Sequence, residues 1–306
     1  MEKVYRLTPA VKDAIWGGRR LFDYGKASDL DRIAESWELS FVEGDEARTD
    51  DGRILSEVFP KALWGEACRD FERFPVLTKF IDAAEKLSVQ VHPSDEYALA
   101  HENSYGKTEM WYVVDCAPGA GIYIGLSEAT SRENFAAAVA DGSVEKLLSF
   151  VPCKPGDVFF IPAGTVHAIC EGVLIYEIQQ NSTLTYRLYD YMRRDKAGNL
   201  RPLHVDRAMN VLDTTPYVSP DFSSCAPDLI GKCRYFETYE RRVLGATCIG
   251  VGSDSYLSLT CVRGSGKIEN LAVCAGDSFF APAGVGELAI EGDMTLILVK
   301  TPTPCE

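Results

Sequence analysis

Few of the 306 residues carry side chains able to hold a metal or move a proton from a buried position. Several of those that do are spaced as a site would need. The chain has four histidines. Two stand at strand-like positions next to other ligand types. "VQVHP" places Gln90 and His92 two residues apart, on one face of a strand, and "IPAGTVHAI" supplies His167. Glu109 opens the strand-like "EMWYVV". Two imidazoles, a carboxylate and a carboxamide make an N2O2 donor set suited to Zn²⁺ or a similar divalent ion. Taken singly, each residue has a blander reading: a turn histidine before Pro93, a surface carboxylate, a satisfied core amide. The combination outweighs them, because a buried Gln and His on one strand face need partners. His101 and His204 lie in polar, helix-like settings and read as surface residues. Lys107 shares the strand side of Glu109, and Lys79 sits inside the apolar run "VLTKFID", where a buried ammonium must be paired.

The elements around these residues are mostly short strands. "KLSVQVHP", "TEMWYVVDC", "GIYIGL", "DVFFIP", "VLIYEIQQ" and "LTYRLYDY" are punctuated by Gly, Pro and Asp at intervals that suit a sandwich or barrel. Helical signals are fewer. "TSRENFAAAVADG" opens with Thr130 as cap and Glu133 three residues on, and stops at Gly142. Shorter helices are expected in "SDEYALAHEN", "SVEKLLSF" and "RPLHVDRAMNVLD". The Pro/Ser-rich "TTPYVSPDFSSCAPD" is the linker candidate. "KPGDVFFIPAGTVHAI" at 154–169 recurs as "CAGDSFFAPAGVGELAI" at 274–290, offset by 120 residues through Pro-Ala-Gly and by one more at the closing Ala-Ile, and at the 120-residue offset Glu287 stands in the place of His167. The expected fold is therefore mainly β, with two related jelly-roll domains. Residues 1–215 form a metal-binding catalytic domain with a helical insertion near 127–148, and 216–306 form a second, metal-free domain.

Composition narrows the function. A hydrophobic fraction of 46% with 25% charged residues describes a globular chain with a real core. No stretch approaches the ~20 apolar residues of a membrane helix. "MEKVYRLTPAVKDAIWGG" is polar where a signal peptide needs an apolar run, so a cytoplasmic location is expected. The net charge of −14 excludes nucleic acid and anionic membranes as partners. A small anionic substrate stays compatible, since screening over ~8 Å lets local Lys and Arg dominate a pocket. None of the ten cysteines forms a CxxC, and free thiols are expected. Oligomeric state leaves no mark in the sequence.

Gly156, Pro162, Gly164 and His167 have the spacing of the second motif of the cupins, double-sheet jelly rolls in which this histidine points inward. Further segments sharpen the likeness. "LSVQVHPSDEYA", "GKTEMWYV", "IPAGTVHAI" and "NSTLTYRLYDY" resemble, in order, the signature segments of the type I phosphomannose isomerases, and "AIWGGRRL", "ESWELS" and "FPVLTKFIDA" extend the match. The resemblance implies a cupin core, one catalytic zinc per chain, and interconversion of mannose 6-phosphate and fructose 6-phosphate. It implies Gln90, His92, Glu109 and His167 as metal ligands and Arg187 as the catalytic arginine. Lys107 then becomes a catalytic candidate for holding substrate or moving protons, and Lys79 a partner for the sugar phosphate. Three departures stand out. Thr183 replaces a frequent acidic residue, Gly106 replaces a histidine of longer relatives, and the large helical domain shrinks to a short insertion. Two other classes compete: a cupin dioxygenase, which would want two histidines on the first ligand strand, and a sugar-binding regulator with a relic metal site.

Overall fold

A computed structural model describes residues 2–194, 197–222 and 224–303. Three antiparallel sheets dominate it. The six-stranded sheet runs Val158–Ile161, Glu109–Cys116, Val173–Gln180, Val76–Ala83, Glu35–Leu39 and Ala10–Lys12. The five-stranded sheet runs Tyr186–Tyr189, Val89–Val91, His167–Ile169, Gly121–Leu126 and Leu148–Pro152. These two sheets face each other as a cup. Ile81, Trp111, Val113 and Ile175 from one pack against Ile122, Ile124 and Ile169 from the other. Period-two alternation in every strand puts these residues inside together.

Each expected strand forms. The helices form too, as Asp95–His101, Arg132–Asp141 and Val205–Val211, with a 3-10 turn at Val144–Leu147. One cap differs from expectation. Ser131, not Thr130, accepts the Asn134 N–H at 3.1 Å and starts the longest helix. Gly142, at φ 77°, ends it. This helix and Val205–Val211 cover the outer face of the five-stranded sheet through Phe135, Val139 and Ala208 against Val89, Val91 and Leu188.

The eight-stranded sheet follows the 214–228 segment, in which no helix or strand forms among the described residues. It includes Leu229–Lys232, Glu237–Val251, Leu257–Ile268, Ser278–Ala281 and Gly286–Lys300, joined by Tyr5–Thr8 and Arg48–Thr49. The first strand of the chain therefore belongs to the sheet built by its last third. Tyr5 pairs with Phe280, and both join a core that also takes Phe80 and Tyr176 from the back of the six-stranded sheet. Phe41, Phe59, Phe74, Tyr256 and Phe280 stack there at centroid distances of 4.0 to 6.3 Å. The eight-stranded sheet thus closes the apolar back of the cup. The nine described cysteines are all free; Cys248, in a strand, is exposed rather than packed. No helix among the described residues is long and apolar enough to cross a membrane.

Candidate metal centre and active site

Register places the site before any side chain is considered. Across the five-stranded sheet, Arg187, Gln90, His167 and Ile124 form one row. Across the other, Trp111, Glu177, Lys79 and Trp37 form a second, with Gln179 opposite Glu109 one step along. Directly opposed residues in antiparallel strands share a face. Both rows face into the cup, and Trp111 meets His167 there edge-on at 5.4 Å.

His92, Glu109 and His167 converge, each offering one ligand atom within 4.8 Å of the others. Glu109 Oε1 lies 3.3 Å from His167 Nε2, and Oε2 lies 3.5 Å from His92 Nε2. The Nδ1 atoms of His92 and His167 stand 2.9 Å from the Leu184 carbonyl and 2.8 Å from the Thr165 carbonyl. A carbonyl only accepts, so each Nδ1 carries the proton and each Nε2 presents a lone pair. Burial, reinforced for His92 by the Lys107 charge, holds the His92 pKa well below the ordinary value. Burial likewise lowers that of His167 to about 4, so both rings are neutral. Gln90 Nε2 is 3.3 Å from His167 Nε2, and the near-isosteric ends of a carboxamide bring its oxygen within the same reach. Among the described residues His92 Nε2 and Glu109 Oε1 are buried and make no hydrogen bond, while Glu109 Oε2 takes the Lys107 ammonium at 2.8 Å. Leaving such groups unmatched is costly, and a divalent cation matches them all. The residues fit a metal.

A second cluster adjoins this one. Lys107 Nζ is 2.8 Å from Glu109 and 3.9 Å from Glu177. Lys79 Nζ lies between Glu177, at 3.3 Å, and Glu35, at 3.4 Å, above the Trp37 ring. Burial opposes charge on Lys79, but the two carboxylates prevail and raise its pKa. Burial also opposes charge on Glu177, yet Lys107, Lys79 and the Trp111 indole N–H hold its carboxyl below the ordinary carboxylate range. Glu109 goes the other way. Burial pushes its pKa up against the pull of Lys107, and a bound cation would favour its ionised form. Sequence reading missed Glu177. Its signal was a lone carboxylate between Tyr176 and Ile178 in a strand with no exposed residue.

Arg187 lies beside Gln90 at the sheet edge, with Nη1 donating to the Pro202 carbonyl at 2.9 Å and Nε buried without a hydrogen bond. Burial and the Arg201 charge lower its pKa, though a guanidinium stays charged at neutral pH. His204 is no simple surface residue, since its Nδ1 accepts the Arg187 N–H at 3.2 Å. His101 is exposed, as expected, and its ring rests against Tyr97. Thr183 is exposed on the loop before Leu184. At Gly106, a Cβ would sit 2.4 to 2.5 Å from backbone atoms of Ser94 and Asp95. No histidine fits there.

With this geometry in view, comparisons with known proteins agree on one family. The sequence profile of the phosphomannose isomerase type I catalytic domain matches residues 4–113, and that of the mannose-6-phosphate isomerase cupin domain matches residues 229–301. The chain is 36% identical over 301 residues to mannose-6-phosphate isomerase ManA of Bacillus subtilis (strain 168), covering 93% of this chain and 94% of that protein. Its fold superimposes on the crystal structure of the Bacillus subtilis mannose 6-phosphate isomerase with a TM-score of 0.88 at 33% identity, over 97% and 99% of the two chains. A mannose 6-phosphate isomerase structure bound with zinc and yttrium shares the fold at a TM-score of 0.76 and 17% identity, over 98% and 100% of the chains. The chain belongs to the type I phosphomannose isomerases.

Proposed function

We propose that this isomerase interconverts mannose 6-phosphate and fructose 6-phosphate through an enediolate, with one zinc ion held by Gln90, His92, Glu109 and His167. The observation carrying this reading is the convergence of two neutral imidazoles and a carboxylate beside a buried lysine–carboxylate pair. The N2O2 set favours zinc, one of the two metals bound in the fold neighbour with zinc and yttrium. A divalent ion there supplies a Lewis acid that polarises the sugar oxygens.

The chain's own residues divide the remaining work. In the forward direction a base takes the proton from C2 of the open-chain aldose, and the electron pair moves to O1. The proton is then returned to C1, while the O2 hydrogen passes to O1, leaving the ketone at C2 and a hydroxyl on C1. Glu177, ionised and aimed into the cup, is the base that fits the first step. Lys107, between Glu177 and Glu109, relays protons at the oxygens. Arg187 adds fixed positive charge against the developing oxyanion. Lys79, expected to hold the phosphate, has its ammonium shared by two carboxylates of the protein. We assign it to orienting Glu177 and offsetting its charge. We likewise propose residues 1–215 as the catalytic unit and 216–306 as the supporting one. A coupled assay for fructose 6-phosphate, run on metal-stripped and zinc-reconstituted protein, tests the reading. Full activity after metal removal, or no turnover of mannose 6-phosphate by the reconstituted protein, would sink it.

A further inference from the structure

Lys107 lies two residues before Glu109, outside the strand that fixes Glu109 between Ile161 and Gln179. Something other than the sheet must hold it. The Lys107 N–H donates to the Pro93 carbonyl at 2.9 Å. On either side, Gly106 N–H donates to Asp95 Oδ1 at 2.7 Å and Thr108 N–H to Gln180 Oε1 at 2.7 Å. Gln180 Nε2 returns to the same Asp95 Oδ1 at 2.8 Å. The second Asp95 oxygen accepts the hydroxyl of Tyr235, which lies in the turn between Leu229–Lys232 and Glu237–Val251 of the eight-stranded sheet. One carboxylate thus joins the start of the helix Asp95–His101, the lysine loop, the end of the strand carrying Glu177, and the second unit.

We propose that Asp95 is a positioning residue for Lys107, and that Tyr235 makes this positioning depend on the second unit. This rests on the function proposed above. Among the described residues, the Asp95 carboxylate bonds Gly106, Gln180 and Tyr235 and makes no hydrogen bond or ion pair with His92, Glu109 or His167. Its effect passes through the backbone of 106–108. Gly106 belongs to the same device, since only a residue without a Cβ lets the loop come within bonding distance of Asp95. The second unit then does more than close the back of the cup, because a bond from its Tyr235 sets where a proton-moving ammonium stands. Misplacing such a group by about 1 Å costs on the order of a hundredfold in rate.

The test compares Asp95→Ala, Asp95→Asn, Tyr235→Phe and wild type in zinc-reconstituted form, measuring kcat, KM, zinc affinity by titration and melting temperature. Asp95→Ala should lower kcat by roughly thirtyfold or more with KM and zinc affinity within threefold. Asp95→Asn keeps an oxygen for the two N–H donors and should recover most of the rate. Tyr235→Phe should lower kcat a few-fold with zinc affinity unchanged. Loss of zinc in step with loss of rate would show a merely structural role and overturn the proposal. So would a normal kcat in Asp95→Ala or, should that variant not fold, a normal kcat in Tyr235→Phe. Wild-type protein that binds zinc but does not turn over mannose 6-phosphate would instead overturn the function itself.

Discussion

The segments 154–169 and 274–290 share a backbone and differ in what they present to the interior. Gly156 and Gly276 have φ of 94° and 98°, and Gly164 and Gly284 have 91° and 82°. The hydrogen bonds repeat as well. Gly156 N–H donates to Val113 O at 2.8 Å, and Gly276 N–H to Cys261 O at 2.7 Å. Gly164 N–H donates to His92 O at 2.8 Å, and Gly284 N–H to Gly252 O at 2.7 Å. Asp157 and Asp277 each take back an N–H three residues upstream, at 2.9 and 2.8 Å. Beyond this frame the copies part. His167 and Ile169 point into the first cup, whereas Leu288 and Ile290 enter the second core and Glu287 is exposed. Gly286, at φ 82°, stands where the first copy has Val166. The second segment has one residue more before its closing Ala-Ile, so Leu288, not Glu287, takes the inward place of His167. The copies agree wherever a turn needs a particular backbone, and they diverge wherever only a side chain was at stake.

The largest expected effect breaks the first copy. His92→Ala or His167→Ala should lower activity by about a thousandfold or more, with far-ultraviolet circular dichroism unchanged, since a Lewis acid contributes several kcal/mol. A variant active without bound metal would remove the chemical meaning of the difference between the copies. Next, Glu177→Gln should reduce kcat by roughly 10² to 10⁴, with zinc affinity nearly kept; a change in KM alone would deny it the role of base. Arg187→Ala should lower kcat by about a hundredfold, more than it raises KM. Arg187→Lys should recover it only in part, because a point charge does not replace a planar fork. Smaller still, Gly286→Ala should cost about 1 kcal/mol of stability through its left-handed backbone, read as a lowered melting point. Glu287→Ala should stay within about 0.5 kcal/mol of wild type and bind one zinc ion per chain as before. Loss of metal from that last variant would mean that the second copy also holds an ion.

Much of this molecule could be read from its residues, for local reasons. Alternation of apolar residues marked the strands. Ser94 and Gly142 bounded helices through backbone groups within a turn of themselves. The ligand types were legible because imidazole and carboxylate beside apolar strand residues have few bland explanations. Non-local facts were not legible. Nothing near Tyr5 announces its pairing with Phe280, since sheet order depends on which edges remain free once the rest has folded. Lys79 and Glu177 are nearly a hundred residues apart, and only their register across one sheet makes them a pair rather than a lysine seeking a phosphate and a carboxylate without a role. Side-chain chemistry is a property of residues, whereas the distance between two charges, which sets their protonation, exists only after the sheets have closed on each other.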